Sequence, residues 1–247
     1  MNAPSAAIVG SSLGHFPTGE RWEFGADVTD VFDDMLARSI PGLAVMRDLT
    51  FRLGRRFVTP GAAVLDLGCS RGDALAPFVA EFKQQNTYIG VETSAAMLAS
   101  VRERFAYQIA DGHVKILDRD LRTGIPRTMA TSLVLSSLTL MFTPINYRPT
   151  LLQQIYDMLL PGGALILTEK ILGGSALTDN LIQTEYHEFK HRQGYTSEEI
   201  ARKALALEGV QVPVTAAWNE DMLRTAGFRK PECFWRYLNF AGWVAIK

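Results

Sequence analysis

Asp66-Leu67-Gly68-Cys69-Ser70-Arg71-Gly72, followed downstream by Glu92, sets two acids around a small-residue turn, a combination that can hold a nucleoside joined to an amino acid. Gly68 and Gly72 lack Cβ atoms, so the chain can bend sharply and lie against a ligand, while Cys69 and Ser70 keep the turn small. The spacing is G-x-x-x-G. A dinucleotide site calls for G-x-G-x-x-G and a pyrophosphate on the next helix, and Asp66 would repel that anion. The same carboxylate can hold an ammonium group, directly or through water. Glu92 lies roughly 20 residues past the turn, where doubly wound sheets place the acid that accepts from both ribose hydroxyls. Thr93 adjoins it. Asp120 can accept from an adenine amino group with Leu121 covering the ring; its alternative is a solvated helix N-cap. A further apolar run, Ser132 to Leu140, carries Ser136 and Ser137 at the carboxyl end of the sheet, where open α/β sheets bind ligands.

A second pattern points to different chemistry. His187-Glu188-Phe189-Lys190-His191 satisfies H-E-x-x-H on a predicted helix, so both imidazoles share one face and could reach a zinc ion, with Glu208 or Glu220 as the third ligand. The motif is short and the surrounding architecture is wrong for a zinc peptidase. No metal is expected.

These residues need a parallel sheet to gather them. The apolar runs starting at Val64, from Asn86 to Glu92, from Val114 to Leu117, from Ser132 to Leu140 and from Ala164 to Glu169 read as strands. Helices near 74–84, 94–106 and 149–159 separate them in the βαβ manner, and right-handed crossovers make the strands parallel. Cys233 to Phe240 and Gly242 to Lys247 form a closing hairpin, which places one antiparallel strand at the end of a seven-stranded, mostly parallel sheet. Leu160-Pro161-Gly162-Gly163 reads as a helix stop. Before the sheet, Met1 to Thr18 reads as a leader, Trp22 to Ser39 as an amphipathic helix and about 43–57 as a second, making residues 1–58 a leader and helical cap on a domain of residues 59–247. Two helices, roughly 175–192 and 196–207, form an insertion over about 171–210. Phe234, Trp235, Tyr237, Phe240 and Trp243 alternate along the last strands, which reads as core or a dimer face rather than a base-stacking surface.

The chain has 247 residues, 47% of them hydrophobic, with 25 Lys and Arg against 26 Asp and Glu. That is enough for a sizeable core, and the net charge of −1 supplies no field to draw nucleic acid or an anionic membrane. The two cysteines, Cys69 and Cys233, read as reduced thiols. With no secretion-type start and no run of about 18 apolar residues, a cytoplasmic location away from membranes is expected.

From Trp22 to Lys247 the chain resembles a Class I S-adenosylmethionine-dependent methyltransferase, most closely the bacterial carboxy-S-adenosylmethionine synthases of tRNA wobble-uridine modification. The resemblance rests on Val31-Phe32-Asp33-Asp34-Met35, Arg38-Ser39-Ile40-Pro41-Gly42, Asp66-Leu67-Gly68-Cys69-Ser70, Pro161-Gly162-Gly163-Ala164-Leu165, Phe189-Lys190, Gly194-Tyr195 and Leu238-Asn239-Phe240. Arg38 to Gly42 and Gly194-Tyr195 are the subgroup-specific parts. It implies the Rossmann-like Class I fold, S-adenosyl-L-methionine as cofactor and a homodimer. It also implies Gly68 and Ser70 at the methionine part, Glu92 and Thr93 at ribose, and Asp120 and Leu121 at adenine. The family's ligand-contacting tyrosine after Pro-Gly is Leu43 here, its asparagine on the fourth strand is Ser137, and its carboxylate-holding arginine is Ala204. Alanine cannot replace a bidentate guanidinium, and Arg202 or Lys203 should face elsewhere, because successive helical residues point about 100° apart.

The sequence therefore favours an enzyme that keeps the nucleoside pocket and methylates a small-molecule acceptor. The alternative is a carboxy-S-adenosylmethionine synthase using prephenate, within a tRNA-related pathway. Methyl transfer needs an oriented acceptor and, for an N or O nucleophile, a base. Tyr186, His187, Tyr195 and Glu169 are the candidates, and Arg38 can hold an anionic part of cofactor or acceptor.

Overall fold

The computed structural model describes residues 22–25, 28–29, 31–126 and 130–247. The strands are β1 (Ala63–Leu67), β2 (Thr87–Glu92), β3 (Val114–Asp118), β4 (Thr131–Ser137), β5 (Leu159–Leu172), β6 (Val214–Thr215), β7 (Glu232–Tyr237) and β8 (Phe240–Ile246). The helices are α1 (Phe32–Ser39), α2 (Leu43–Gly54), α3 (Ala76–Phe82), α4 (Ala95–Arg104), α5 (Ala106–Ala110), α6 (Arg148–Met158), α7 (Ala176–Arg192), α8 (Ser197–Ala206) and α9 (Ala216–Thr225). The main sheet runs β3-β2-β1-β4-β5-β8-β7, with two-residue β6 paired beside β5. β8 is antiparallel to both β5 and β7, and the neighbouring pairs from β3 to β5 are parallel. This is the expected seven-stranded, mostly parallel Rossmann-like sheet.

β1 shows why such strands read as unbroken apolar runs: all five of its residues are buried, because helices cover both faces. Alternation sends Val64 towards Leu75, Phe78 and Phe105 on one face, and Leu65 and Leu67 towards Leu151, Leu152 and Ile155 on the other. Each such side chain, fully buried, stabilises the fold by about 1.5–3 kcal/mol. Trp235, Phe240 and Trp243 are likewise buried, so the aromatic alternation near the end is mainly core packing.

Several boundaries differ from the sequence reading, among them the closing hairpin, where β7 ends at Tyr237 and Phe240 opens β8. β4 stops at Ser137 rather than Leu140, because Leu138 takes φ 57° and the chain leaves the sheet. β5 starts at Leu159 and passes through Pro161-Gly162-Gly163 where a helix stop was expected; Gly162 has φ 79°, and a Cβ on Gly163 would stand 2.8 Å from the Ser132 carbonyl. β6 is too short to leave a pattern. α1 begins at Phe32 instead of near Trp22, and the leader from Met1 to Thr18 lies outside the described residues.

The insertion is well capped. Ser175 with Thr178 closes the start of α7, and Thr196 with Glu199 closes the start of α8. The segment before α1 reaches it directly: the Trp22 N–H donates to the Ala206 carbonyl at 3.0 Å. Trp22, Phe32 and Met35 cluster with Met97, flanked by Ala206 and Leu207. Cap and insertion thus roof the carboxyl ends of β1, β2, β4 and β5.

Candidate active site

Under that roof lies a cavity of about 1100 Å³. One side is built by the turn after β1. Gly68 at φ 69° and Gly72 at φ 81° take left-handed conformations, and so does Ser70 at φ 47°. A Cβ on Gly68 would sit 2.4 Å from the Thr139 side chain, and one on Gly72 would sit 2.5 Å from Phe105, so both positions exclude any larger residue. Gly68, Cys69 and Ser70 line the cavity; Gly72 lies behind it, serving the fit of the turn onto Phe105. Gly90 in β2 plays the same part for Cys69, since a Cβ there would come 2.7 Å from Sγ.

Asp66 lines the cavity, is 1% exposed, and neither carboxylate oxygen has a hydrogen-bond partner. Burial, aided by Glu92 and Asp73, pushes its pKa up to about 8. A buried carboxyl without a partner is costly, and a ligand ammonium would satisfy it. Glu92 is held in place by main-chain donors: Oε2 accepts from Ser70 N–H at 2.9 Å, and Oε1 from Thr93 N–H at 2.8 Å and Ser94 N–H at 2.9 Å. A carboxylate offers about four acceptor sites, so one remains for a ribose hydroxyl. Glu92, Thr93, Asp120, Leu121 and Ser137 all line the cavity. Asp120 also caps the turn Leu121–Thr123 and pairs with Arg122, whose guanidinium holds it below the usual carboxylate range; both readings of that residue coexist. The Ser137 hydroxyl lies 3.2 Å from that of Thr168.

The fit to S-adenosyl-L-methionine rests on the orphaned Asp66 oxygens and the glycine cradle. Asp66 would hold the ammonium, Glu92 the ribose and Asp120 with Leu121 the adenine. When bound, that group supplies a one-carbon unit activated by its sulfonium.

The far side of the cavity is cationic. Lys170 at the end of β5, Lys190 on α7 and Lys203 on α8 all line it, with Tyr186 and His187. The Lys190 and Lys170 ammoniums stand 4.6 and 5.3 Å from the Tyr186 ring centroid. The Tyr186 hydroxyl donates to the Ser39 carbonyl at 2.9 Å, and Lys203 Nζ donates to Ser39 Oγ at 3.1 Å. Burial lowers all three lysines; repulsion by Lys170 helps bring Lys190 to about 8, and repulsion by Lys190, Lys170 and Arg38 helps bring Lys203 to about 7. Burial, with Lys190, Lys170 and His191 nearby, lowers His187. Such a cluster attracts an anion. Sequence reading missed it, since each lysine alone looks like surface; only the buried fraction of α7 and α8 reveals it.

Three sequence candidates sit elsewhere. Glu169 is 2% exposed and off the cavity wall, with Oε1 accepting from Leu140 N–H at 2.9 Å. Tyr195 also lies off the wall, its hydroxyl 3.4 Å from Ser39 Oγ. Arg38 stacks over the Tyr195 ring at 4.2 Å and donates to the Gln193 carbonyl at 2.8 Å, so it fastens cap to insertion and does not face the ligand space. Lys203 departs from expectation in the other direction: it lines the cavity together with Ala204 instead of pointing away. The zinc pattern also dissolves. His191 Nδ1 is bonded at 2.9 Å to the Tyr195 carbonyl and Glu220 pairs with Arg224; no cluster of three or more His, Cys, Asp or Glu among the described residues is arranged to hold a metal. No described helix is long and apolar enough to cross a membrane.

Comparison with known proteins bears on the fold and the cofactor. Residues 64–163 match the family model described as a methyltransferase domain. A carboxy-S-adenosyl-L-methionine synthase of Methylococcus capsulatus is 40% identical over 225 residues, 91% of this chain and 93% of that one. One from Actinobacillus succinogenes is 36% identical over 91% of this chain and 92% of its own. Among solved structures, an O-methyltransferase family protein from Burkholderia thailandensis superimposes with a TM-score of 0.57 at 16% identity, over 90% of this chain and 60% of that one. Human N-acetylserotonin methyltransferase, solved with S-adenosylmethionine, gives 0.56 at 14% identity, over 90% of this chain and 55% of its own. At these identities the structures speak for the fold alone, and the chain spans little more than half of either. The sequence matches go further: this chain is an S-adenosylmethionine-dependent methyltransferase by fold and cofactor, and it belongs to the carboxy-S-adenosyl-L-methionine synthase family.

Proposed function

We propose that the protein moves a carboxyl group from a carboxylate-bearing small molecule onto the methyl of S-adenosyl-L-methionine, the carboxyl transfer for which its relatives are named, with prephenate as the donor to try first. The observation that carries this reading is the convergence of Lys170, Lys190 and Lys203 around Tyr186 and Ser39 on the cavity wall. Ala204 removes a guanidinium, but Lys203 beside it brings an ammonium to the same wall. Carboxyl transfer breaks the bond between the donor's ring and its carboxyl group, forms a new carbon–carbon bond at the activated methyl, and takes one methyl proton, which leaves with the hydroxyl expelled from the aromatising donor as water. Charged lysines hold and orient the donor carboxylate. Lys203, lowered to about 7, can also be neutral near neutral pH and take that proton.

A second reading is plain methyl transfer to a carboxylate-bearing acceptor. It is favoured by Leu43, Ser137 and Ala204, which replace three polar groups of the family pattern with residues that cannot grip an extra carboxylate bidentately. Mass spectrometry of the products from purified protein, S-adenosylmethionine and prephenate separates the two. A carboxylated sulfonium supports the first reading. S-adenosylhomocysteine released only when a methyl acceptor is supplied supports the second.

A further inference from the structure

We propose that Glu169 and Arg148, which touch neither half of the cavity, are positioning residues that hold the turn after β4 as the wall between the Asp66 side and the Lys170 side. Sheet order places β4 between β1, which carries Asp66, and β5, which carries Lys170. The turn leaving β4 therefore stands between the two ligand spaces. Leu138, Thr139, Met141, Phe142 and Thr143 all line the cavity, and Thr139 is the side chain that packs on Gly68.

Two buried, ionisable side chains serve this one turn from opposite directions. Glu169 collects its donors: Oε1 takes the Leu140 N–H at 2.9 Å, and the Thr139 and Met141 N–H groups also point to that carboxylate. Arg148, 1% exposed at the start of α6, collects its acceptors. Its Nε donates to the Thr143 carbonyl at 3.1 Å, and Nη2 donates to Thr143 at 3.1 Å, Met141 at 3.2 Å and Val212 at 2.7 Å. The last bond ties the turn to the segment bearing Gln211 and Pro213, which also face the cavity.

Burying two such groups is expensive, and well-packed apolar residues would stabilise a core at least as well. What the pair supplies instead is a single conformation for the turn. Leu138 needs it: a leucine at φ 57° is strained and persists only where its surroundings over-determine it. Its own N–H is held by the Thr168 carbonyl at 2.8 Å.

The test compares Glu169→Gln and Arg148→Lys with Leu223→Ala, a core variant on α9 that lies off the cavity. S-adenosylhomocysteine affinity is measured by calorimetry and turn rigidity by amide hydrogen exchange. The binding readout rests on the cofactor assignment, which wild-type binding checks separately; exchange at residues 139–141 reads the wall without any ligand. Both positioning variants should lose slow exchange there and weaken S-adenosylhomocysteine at least tenfold. Leu223→Ala, at a matched loss of Tm, should keep its affinity within about twofold. Equal weakening in all three variants, or an unchanged turn and affinity in Glu169→Gln and Arg148→Lys, overturns the proposal.

Discussion

Asp66 links cofactor binding to pH. Its pKa is raised to about 8 in the ligand-free fold, whereas an ammonium partner needs the carboxylate. Binding therefore releases a proton below about pH 8. S-adenosylhomocysteine affinity should fall as pH drops below that value, by up to about tenfold per unit, and Asp66→Asn should bind weakly with this dependence removed; titration calorimetry across pH 6 to 9 checks both. The stability consequence has the opposite sign. A carboxyl whose folded pKa is raised gives its stability below the unfolded pKa and loses it as pH rises through the folded one. Ligand-free Asp66→Asn should thus gain on wild type in urea unfolding as pH climbs from about 4 to 8. Lys203 carries the complementary prediction: Lys203→Met should raise the KM for prephenate at least tenfold and leave S-adenosylhomocysteine affinity within about twofold. Equal effects on both ligands would mean that the lysine supports the whole cavity and not its anionic half.

Single elements carry predictions of their own. Thr196 and Glu199 cap α8, the helix that delivers Lys203, so Thr196→Ala should cost about 1 kcal/mol and lower Tm by about 2–4 °C. Gly68→Ala is harsher, because φ 69° disfavours any side chain and Thr139 leaves no room; it should abolish S-adenosylhomocysteine binding in a protein whose circular dichroism remains native. Elements also show what can be read without coordinates. The β1 turn and Glu92 were legible because both are local: a glycine needs its φ and an acid follows its strand. The lysines were not, because Lys170, Lys190 and Lys203 meet only when β5, α7 and α8 are packed. Arg38 misled for the same reason: a charge beside the cap turn looks available until Tyr195 arrives from 157 positions further along to occupy it. β4 was drawn too long because Ser137-Leu138-Thr139-Leu140 keeps a strand's composition, while the stop lies in a backbone angle that leucine does not advertise.

At the scale of the molecule, cap, insertion and sheet share one cavity, and a ligand bridging them should stabilise all three together. With S-adenosylhomocysteine at 100 times its Kd, the gain is about 2.7 kcal/mol, a Tm rise of about 5–10 °C for a chain of this size. Differential scanning calorimetry should show it as one shifted transition; a second, unshifted peak would mean that the roof unfolds on its own.

The bonds that fasten the roof also set a clock on synthesis. Ser39 leaves the ribosome early, yet its hydroxyl waits for Lys203, 164 positions later, and the Trp22 amide waits for Ala206. A nascent chain can thus present the Asp66 turn and the Glu92 strand, the parts that contact the nucleoside, long before it can close over them. Retention of the nucleoside becomes a property of the finished polypeptide, and a truncated or stalled chain that carries every nucleoside-contacting residue would still let its ligand go.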